Sequence, residues 1–582
     1  MPAPTAPEDR RIRPDDRRRG GLSARDIRVQ ANGTMLVQRV DVDVEPGEFC
    51  AIIGASGAGK STLLRVLAGV NAPSAGEVTV DGEIVALSTD AVGYVPTGDL
   101  AHPQLTVREA FRYAAALRAH DVSEDERLRR VESVLDELHM THRGDAQVRS
   151  LSDGERRRVA CGAELVGDPS VVILDEPTSG LDPGLERRMM VLLRELADRG
   201  RAVLISTHAT GSLRQCDRII VMASGGRVAF VGSHDETLAH FGAETIDEVY
   251  ELAERSEAGV PPVAVPVGDG VAAQTSTATA KRQGLPPMTS QIMTLASRYA
   301  LCLRRDARSL GLLIGQAPVI GIAIGLTVPG GVLSDPIFGA FYGVLLSFMI
   351  VIGAVWLGLI AACREIARER SSLLREAAVG VRLDAYILSK CAVILPLVAF
   401  QSLLLLIPVI ILQPPNGALT QYAGVLAVTI VAAWGAVVIG LLISVLVQSA
   451  GQATTILPLV VIPQLLLAGA LIPPSQMIPP VKALSDITLA RWALGGIGNS
   501  LQLGPAISSD LASVTGLAGS FFNQGILQPM MMIGLLSLVL LVFTVIILDR
   551  RVGNAIYDEY DLIDDGPGPG PSAARAASPV TG

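Results

Sequence analysis

The sequence predicts a two-part chain, an α/β domain built around a phosphate-binding loop followed by an all-α domain of six membrane spans. The stretch 54–62 reads GASGAGKST and matches G-x-x-x-x-G-K-[ST] in full. Charge is dense up to about residue 255, whereas long apolar runs with few charges dominate after about residue 310. Arginines crowd the connection after the second run and the end of the sixth, while 329–336 and 413–420 hold neither Lys nor Arg. At 582 residues the chain is too long for one core.

The phosphate loop follows an apolar run, 49–53, and leads into 63–67, the strand, turn and helix start such a loop requires. Gly54, Gly57 and Gly59 let the backbone curl so that its N–H groups, with that of Ser56, face one centre. Lys60 can reach the outer phosphates of a nucleotide, the Ser61 hydroxyl can ligate Mg²⁺, and Thr62 closes the motif.

The rest of the first half alternates strands and helices. Residues 26–43 read as strands with a turn at Asn32-Gly33, 77–86 as a hairpin around Asp81-Gly82, and 92–95 as a short strand ending at Pro96. A helix over 105–120 opens with Thr106 and Glu109, a capping-box pattern, and 124–138 is a second, highly charged helix. Ser152 precedes a helix running to about 166. Residues 171–174 form a buried strand ending in Asp175-Glu176; then come a helix over 183–199 and strands over 202–206, 219–222 and 227–232. This alternation is the α/β pattern. The domain spans 22–257, preceded by a polar, arginine-rich tail over 1–21 that reads as cytosolic and disordered rather than as a cleavable targeting segment.

Residues 258–287 are rich in Pro, Ala, Gly, Val and Thr and read as a linker. Residues 288–309 place Arg298, Arg304, Arg305 and Arg308 among apolar residues, suiting an amphipathic helix on a membrane surface. Six spans follow within 310–552, at about 310–328, 337–361, 386–412, 421–447, 453–472 and 529–549, since a bilayer core needs about 20 apolar residues per helix. Arg364, Arg368, Arg370, Arg375 and Arg382 lie after the second span and Arg550-Arg551 after the sixth, while 329–336 and 413–420 hold no Lys or Arg. Both termini are therefore expected in the cytosol, the loop 473–528 outside, and 553–582 as an acidic, then Pro/Gly/Ala-rich disordered tail.

The net charge of −9 gives no support for nucleic-acid binding. The six cysteines, at 50, 161, 216, 302, 363 and 391, show neither paired spacing nor a metal-ligand cluster.

Asp175 and Glu176 stand where one carboxylate can hold the hydration shell of Mg²⁺ opposite Ser61 and the next can polarise an attacking water. Ser152-Asp153-Gly154-Glu155, the run LDEPTSGLD over 174–182, and Thr207-His208 occur in the order seen in ATP-binding cassette (ABC) transporters. With Arg156-Arg157-Arg158 after the signature and the nucleotide domain ahead of six spans, the chain resembles the subfamily G (White/pleiotropic-drug-resistance type) half-transporters and their bacterial relatives over about 22–552. The resemblance implies an ABC-type ATPase domain and an ABC-2 type membrane domain. It further implies a dimer, with two ATP molecules held between the phosphate loop of one subunit and the signature of the other. On that reading Ser152 and Gly154 contact the γ-phosphate across the interface, Glu176 is the catalytic base, His208 senses the γ-phosphate and Asp182 links the two sites. Residues 364–383, with Arg364-Glu365 and Arg368-Glu369, resemble the family's cytosolic coupling segment.

Two positions depart from the family pattern. Asp153 replaces a glycine, adding a negative charge near a phosphate unless it points away. Thr97 stands at the family's glutamine position and is too short to reach Mg²⁺ without a bridging water. A heterodimer whose partner supplies an intact signature therefore stands beside a homodimer. The resemblance implies export of a hydrophobic or amphipathic substrate, lipid or drug-like, across the membrane. A non-transporting membrane ATPase that passes force or a signal to another protein is the alternative, because polar residues within the spans are few, Gln401, Ser402 and Trp434 among them.

Overall fold

The computed structural model describes residues 20–31, 33–85, 91–98, 102–119, 122–255, 287–334, 338–378, 380–414, 419–507 and 519–558. They fall into two compact units, one carried by the N-terminal part of the chain and the other beginning at Pro287. The expected linker and the greater part of both tails lie outside the described residues.

The first unit holds two sheets. In the smaller one β1 (Leu22–Ala31), β2 (Thr34–Val44), β4 (Ala75–Val80) and β5 (Glu83–Ile84) run antiparallel in the order β2-β1-β4-β5. The larger one is ordered β10-β9-β3-β8-β7-β6, from β3 (Phe49–Gly54), β6 (Val92–Val95), β7 (Val171–Asp175), β8 (Ala202–Ser206), β9 (Arg218–Ala223) and β10 (Arg227–Gly232). All its neighbours are parallel except β9 and β10. Every residue of β3, β6, β7 and β8 is buried, which explains why these strands read as unbroken apolar runs rather than as alternations.

Register decides the site. Ile52 of β3 pairs with Ser206 of β8, and Ser206 with Asp175 of β7, so three strands end level at one edge. Ligands of open parallel sheets bind outside that carboxyl edge.

The helices of this unit are α1 (Lys60–Leu67), α2 (Val107–Arg118), α3 (Glu124–Glu137), α4 (Asp153–Leu165) and α5 (Pro183–Asp198), followed by α6 (His234–Phe241) and α7 (Ile246–Arg255). The Thr106–Glu109 capping box at the head of α2 is present. Helices α6 and α7 go beyond the strands expected at the end of the domain; Ile246, Val249 and Ala253 bury one face of α7 in the main core.

The second unit is all helical. α8 (Met288–Arg305) ends at Asp306, whose side chain caps α9 (Ala307–Thr327) through the Ser309 amide. What reads as one amphipathic segment up to 309 is thus broken by a capping aspartate. α10 (Gly339–Ala362), α11 (Glu365–Arg368), α12 (Arg370–Ala378), α13 (Leu383–Leu412), α14 (Leu419–Leu446), α15 (Ala450–Leu467), α16 (Pro479–Asp486), α17 (Leu489–Ser500), α18 (Leu503–Ala506) and α19 (Leu527–Asp558) follow. Six of these helices are long and apolar enough to cross a membrane.

Helix α10 is 72% buried over its most apolar window and α14 61%, against 22% for α9, α15 and α19, so the first two form the centre. A Cβ on Gly358 of α10 would lie 2.1 Å from the Ala433 carbonyl of α14, so that contact requires glycine. The expected external loop 473–528 is instead partly ordered helix. Its α17 buries Ala490, Ala493, Leu494 and Ile497, anchored where the Ala490 amide donates to Gln464 of α15 at 3.0 Å. The last helix continues to Asp558, past the expected start of the tail at 553.

Candidate functional site

The phosphate loop owes its shape to three glycines at positive φ, Gly54 at 151°, Gly57 at 80° and Gly59 at 85°. A Cβ on Gly54 would sit 2.3 Å from the Met222 carbonyl, and one on Gly59 2.6 Å from that of Leu36. Gly59 is the N-cap of α1 and offers no side-chain cap, so the first amides of the helix are not closed off by a hydroxyl or carboxylate. Ser56 is exposed and Thr62 buried. Lys60 is buried, and its Nζ donates to the Gly54 carbonyl at 2.7 Å and to that of Ala55 at 2.8 Å. Burial holds its pKa below the ordinary lysine value, with Glu176 and Asp175 acting in the opposite direction.

Across the sheet edge, the Ser61 hydroxyl donates to Asp175 Oδ1 at 3.1 Å, and the Ser206 hydroxyl donates to the same oxygen at 2.6 Å. Ser206 Oγ also accepts from the Glu176 amide at 2.9 Å. Glu176 needs that support, because its φ of 49° lies in the left-handed region, a placement costing on the order of 1–3 kcal/mol for a residue with a side chain. His208 Nε2 lies 3.3 Å from Glu176 Oε1, and both side chains keep an exposed face. The paired hard oxygens of Ser61 and Asp175 suit Mg²⁺, which is held by few protein oxygens and completed by phosphate and water. Among the described residues no group of three or more His, Cys, Asp or Glu could hold a metal ion without such help.

The structure therefore brings Lys60, Ser61, Asp175, Glu176 and His208 together. Sequence reasoning gave no role to four supporting residues. Ser206 is legible only as the residue before Thr207-His208. Thr178 and Thr207 join their buried hydroxyls at 3.2 Å. Tyr250 of α7 stacks on His208, with ring centroids 6.1 Å apart.

The signature residues form a separate construction. Ser152 caps α4 in a capping box with Glu155, the Ser152 amide donating to Glu155 Oε2 at 2.9 Å. Arg143 also donates to Glu155, at 3.0 Å. Asp153 is ion-paired with Arg156 one turn on, so its carboxylate is partly neutralised. Gly154 is buried, and a Cβ there would meet Leu185 of α5 at 3.1 Å. Asp182 caps α5, accepting from the Gly184 and Leu185 amides at 2.9 and 3.0 Å. Thr97 is exposed two residues past the end of β6, and Arg157 Nη1 donates to the adjacent Gly98 carbonyl at 3.1 Å. That bond ties the position of the absent glutamine to the signature helix.

In the second unit Glu365 and Glu369 of the segment likened to the coupling segment meet residues of α13. Lys390 of α13 is buried, 2.7 Å from Glu369 and 3.8 Å from Glu365, with its Nζ 3.8 Å from the Tyr299 ring centroid. Tyr386 donates to Glu369 at 2.9 Å, and Ser444 of α14 accepts the Ile366 and Ala367 amides at 2.9 and 3.0 Å. Arg364 is the N-cap of α11 and Arg368 its last residue. Arg298 is buried in a two-pronged pair with Glu376 at 2.6 and 2.8 Å, so it faces protein and not the headgroups expected for it.

Comparison with known proteins adds two family matches, an ABC transporter model over residues 37–179 and an ABC-2 type transporter model over 290–500. The chain is 34% identical over 518 residues to the ABC transporter ATP-binding/permease protein Rv1747 of Mycobacterium tuberculosis, covering 83% of this chain and 58% of that protein. It is 39% identical over 209 residues to ABC transporter G family member 25 of Arabidopsis thaliana, covering 34% of this chain and 32% of that one. Over 222 residues it is 36% identical to ABC transporter G family member 14 of Dictyostelium discoideum, covering 36% of this chain and 15% of that one. The chain thus spans less than two thirds of each of these relatives.

Proposed function

The chain belongs to the ABC transporters, in the nucleotide-domain-first order typical of the G-type half-transporters, and we propose that it dimerises and hydrolyses ATP to export a hydrophobic or amphipathic substrate. The observation that carries this reading is the Glu176–His208 contact at 3.3 Å, beside Asp175 and Ser61, in a chain that also carries six apolar helices.

In this reading the loop amides and Lys60 bind the β- and γ-phosphates. Ser61 and Asp175 would hold Mg²⁺, which neutralises phosphate charge when bound. Glu176 accepts a proton from the attacking water, and His208 touches the γ-phosphate while bridging to Glu176. Ser152 and Asp182, each the N-cap of its helix, with Gly154 in the first turn of α4, complete the nucleotide site of a second copy or of another half-transporter. The apolar faces of α9, α15 and α19, with Leu312, Leu459 and Leu538 more than half exposed, suit lipid and lipid-like cargo. The arginine asymmetry supports cytosolic termini, and residues 364–383 keep the coupling role that the family likeness suggests.

The test is ATPase activity of purified protein in lipid vesicles, wild type beside Glu176→Gln, against a panel of lipids and hydrophobic compounds. Activity that Glu176→Gln lowers by about 100-fold or more, and that one compound stimulates with accompanying translocation, is the expected result. Hydrolysis unchanged by Glu176→Gln, or stimulation without movement of any compound, would overturn it.

A further inference from the structure

We infer that Tyr250 is a positioning residue for His208, and that α7 is therefore a working part of the hydrolytic site and not only a cover for the core. The inference rests on His208 acting at the γ-phosphate, as proposed above.

Four observations converge. The Tyr250 and His208 rings are stacked, with 23° between their planes. The Tyr250 hydroxyl donates to the Thr207 carbonyl at 3.1 Å, so one side chain holds both the imidazole and the backbone that carries it. Burial is the main cause that pushes the Tyr250 hydroxyl up to about 12, with the Gly54 backbone acting in the opposite direction. The phenol hence stays a donor throughout the working pH range. Finally, α7 is seated firmly, with Val249 fully buried next to Tyr250.

His208 otherwise has little to hold its ring. It is exposed and lies two residues beyond the end of β8, and among the described residues the charged group within ion-pair reach of its ring is Glu176. Beneath it Thr207 is fixed by three further bonds. Its amide donates to the Ile52 carbonyl at 3.3 Å, and its hydroxyl meets Thr178 at 3.2 Å and accepts from the Ala209 amide at 3.0 Å. Those bonds set where the imidazole starts; the Tyr250 ring sets where it points. A catalytic group held in the productive direction by packing needs no reorganisation when substrate arrives.

The experiment measures kcat and KM for ATP in vesicle-reconstituted full-length protein for Tyr250→Phe, Tyr250→Leu, His208→Ala and the Tyr250→Leu/His208→Ala double variant, with thermal stability alongside. Tyr250→Leu should lower kcat about threefold to tenfold, the rate equivalent of one aromatic contact, with KM near wild type. Tyr250→Phe, which keeps the ring, should recover most of that loss. The double variant should be no slower than His208→Ala alone. Losses that multiply in the double variant, or a Tyr250→Leu effect confined to KM, would overturn the positioning role. If Tyr250→Leu does not fold, a Tyr250→Phe/His208→Ala pair that multiplies does the same. His208→Ala with unchanged kcat would instead remove the reading of His208 itself, and the inference with it.

Discussion

Ser206 donates its hydroxyl to Asp175 Oδ1 at 2.6 Å while accepting the Glu176 amide at 2.9 Å, so one buried serine holds both acids of the site. The β7–β8 register makes this possible by setting Asp175 opposite Ser206. Ser206→Ala leaves a carboxylate oxygen and a strained amide short of partners, a cost of about 1–3 kcal/mol. The expected outcome is a lower Tm, a kcat reduced at least tenfold, and a Mg²⁺ requirement shifted upward in an ATPase titration. Unchanged Mg²⁺ dependence would show that the serine serves the fold alone.

Lys60 gives a pH dependence with a definite sign. Burial lowers its pKa below the ordinary 10.5, against the pull of Glu176 and Asp175. Between that lowered value and 10.5 the unfolded chain binds more protons, so the apo fold gains stability as pH rises through the window. Over the same window the cation that attracts phosphate is lost. Fluorescent-nucleotide affinity should therefore fall as pH rises from neutral to about 10, earlier than for an ordinary lysine. In Lys60→Arg, whose guanidinium keeps its proton, the alkaline fall should vanish whatever the absolute affinity.

Asp153 carries a charge that its pairing with Arg156 only partly offsets, since its side chain is 70% exposed. An exposed charge interaction is worth up to about 1 kcal/mol. Asp153→Gly should accordingly raise kcat/KM for ATP by up to about fivefold at low salt, and less at high salt. A fall in kcat/KM would mean that the carboxylate serves the signature helix more than it hinders nucleotide.

The Arg298–Glu376 pair predicts a stability signature. Arg298→Met alone removes the two-pronged partner of a buried carboxylate and should cost about 3–5 kcal/mol, whereas Arg298→Met/Glu376→Leu should recover most of that loss. Thermal unfolding in detergent separates the two outcomes. A single variant as stable as wild type would mean that water reaches the pair.

Much of the fold was legible because its signals are short-range. The strands that carry the site are contiguous apolar runs, the caps at Thr106 and Ser152 depend on residues three positions apart, and a bilayer imposes its length on each span separately. Helix α7 was missed because Ile246, Val249 and Ala253 follow a strand-rich stretch and make a helical stripe only one residue wide. The sequence named no partner for Glu365 and Glu369, because the buried lysine that meets them comes from α13, further along the chain.

By itself the sequence determined that a phosphate loop, two strand-end acids and a histidine share a chain with six apolar spans, since each is written in a few consecutive residues. Only the tertiary structure decided what holds those groups in place. Ser206 reaches Asp175 across 31 positions and Tyr250 reaches Thr207 across 43; Lys390 meets Glu369 from another helix. Such pairings come from strand register and helix packing, which are set by the burial of the whole core and leave no local mark at either residue.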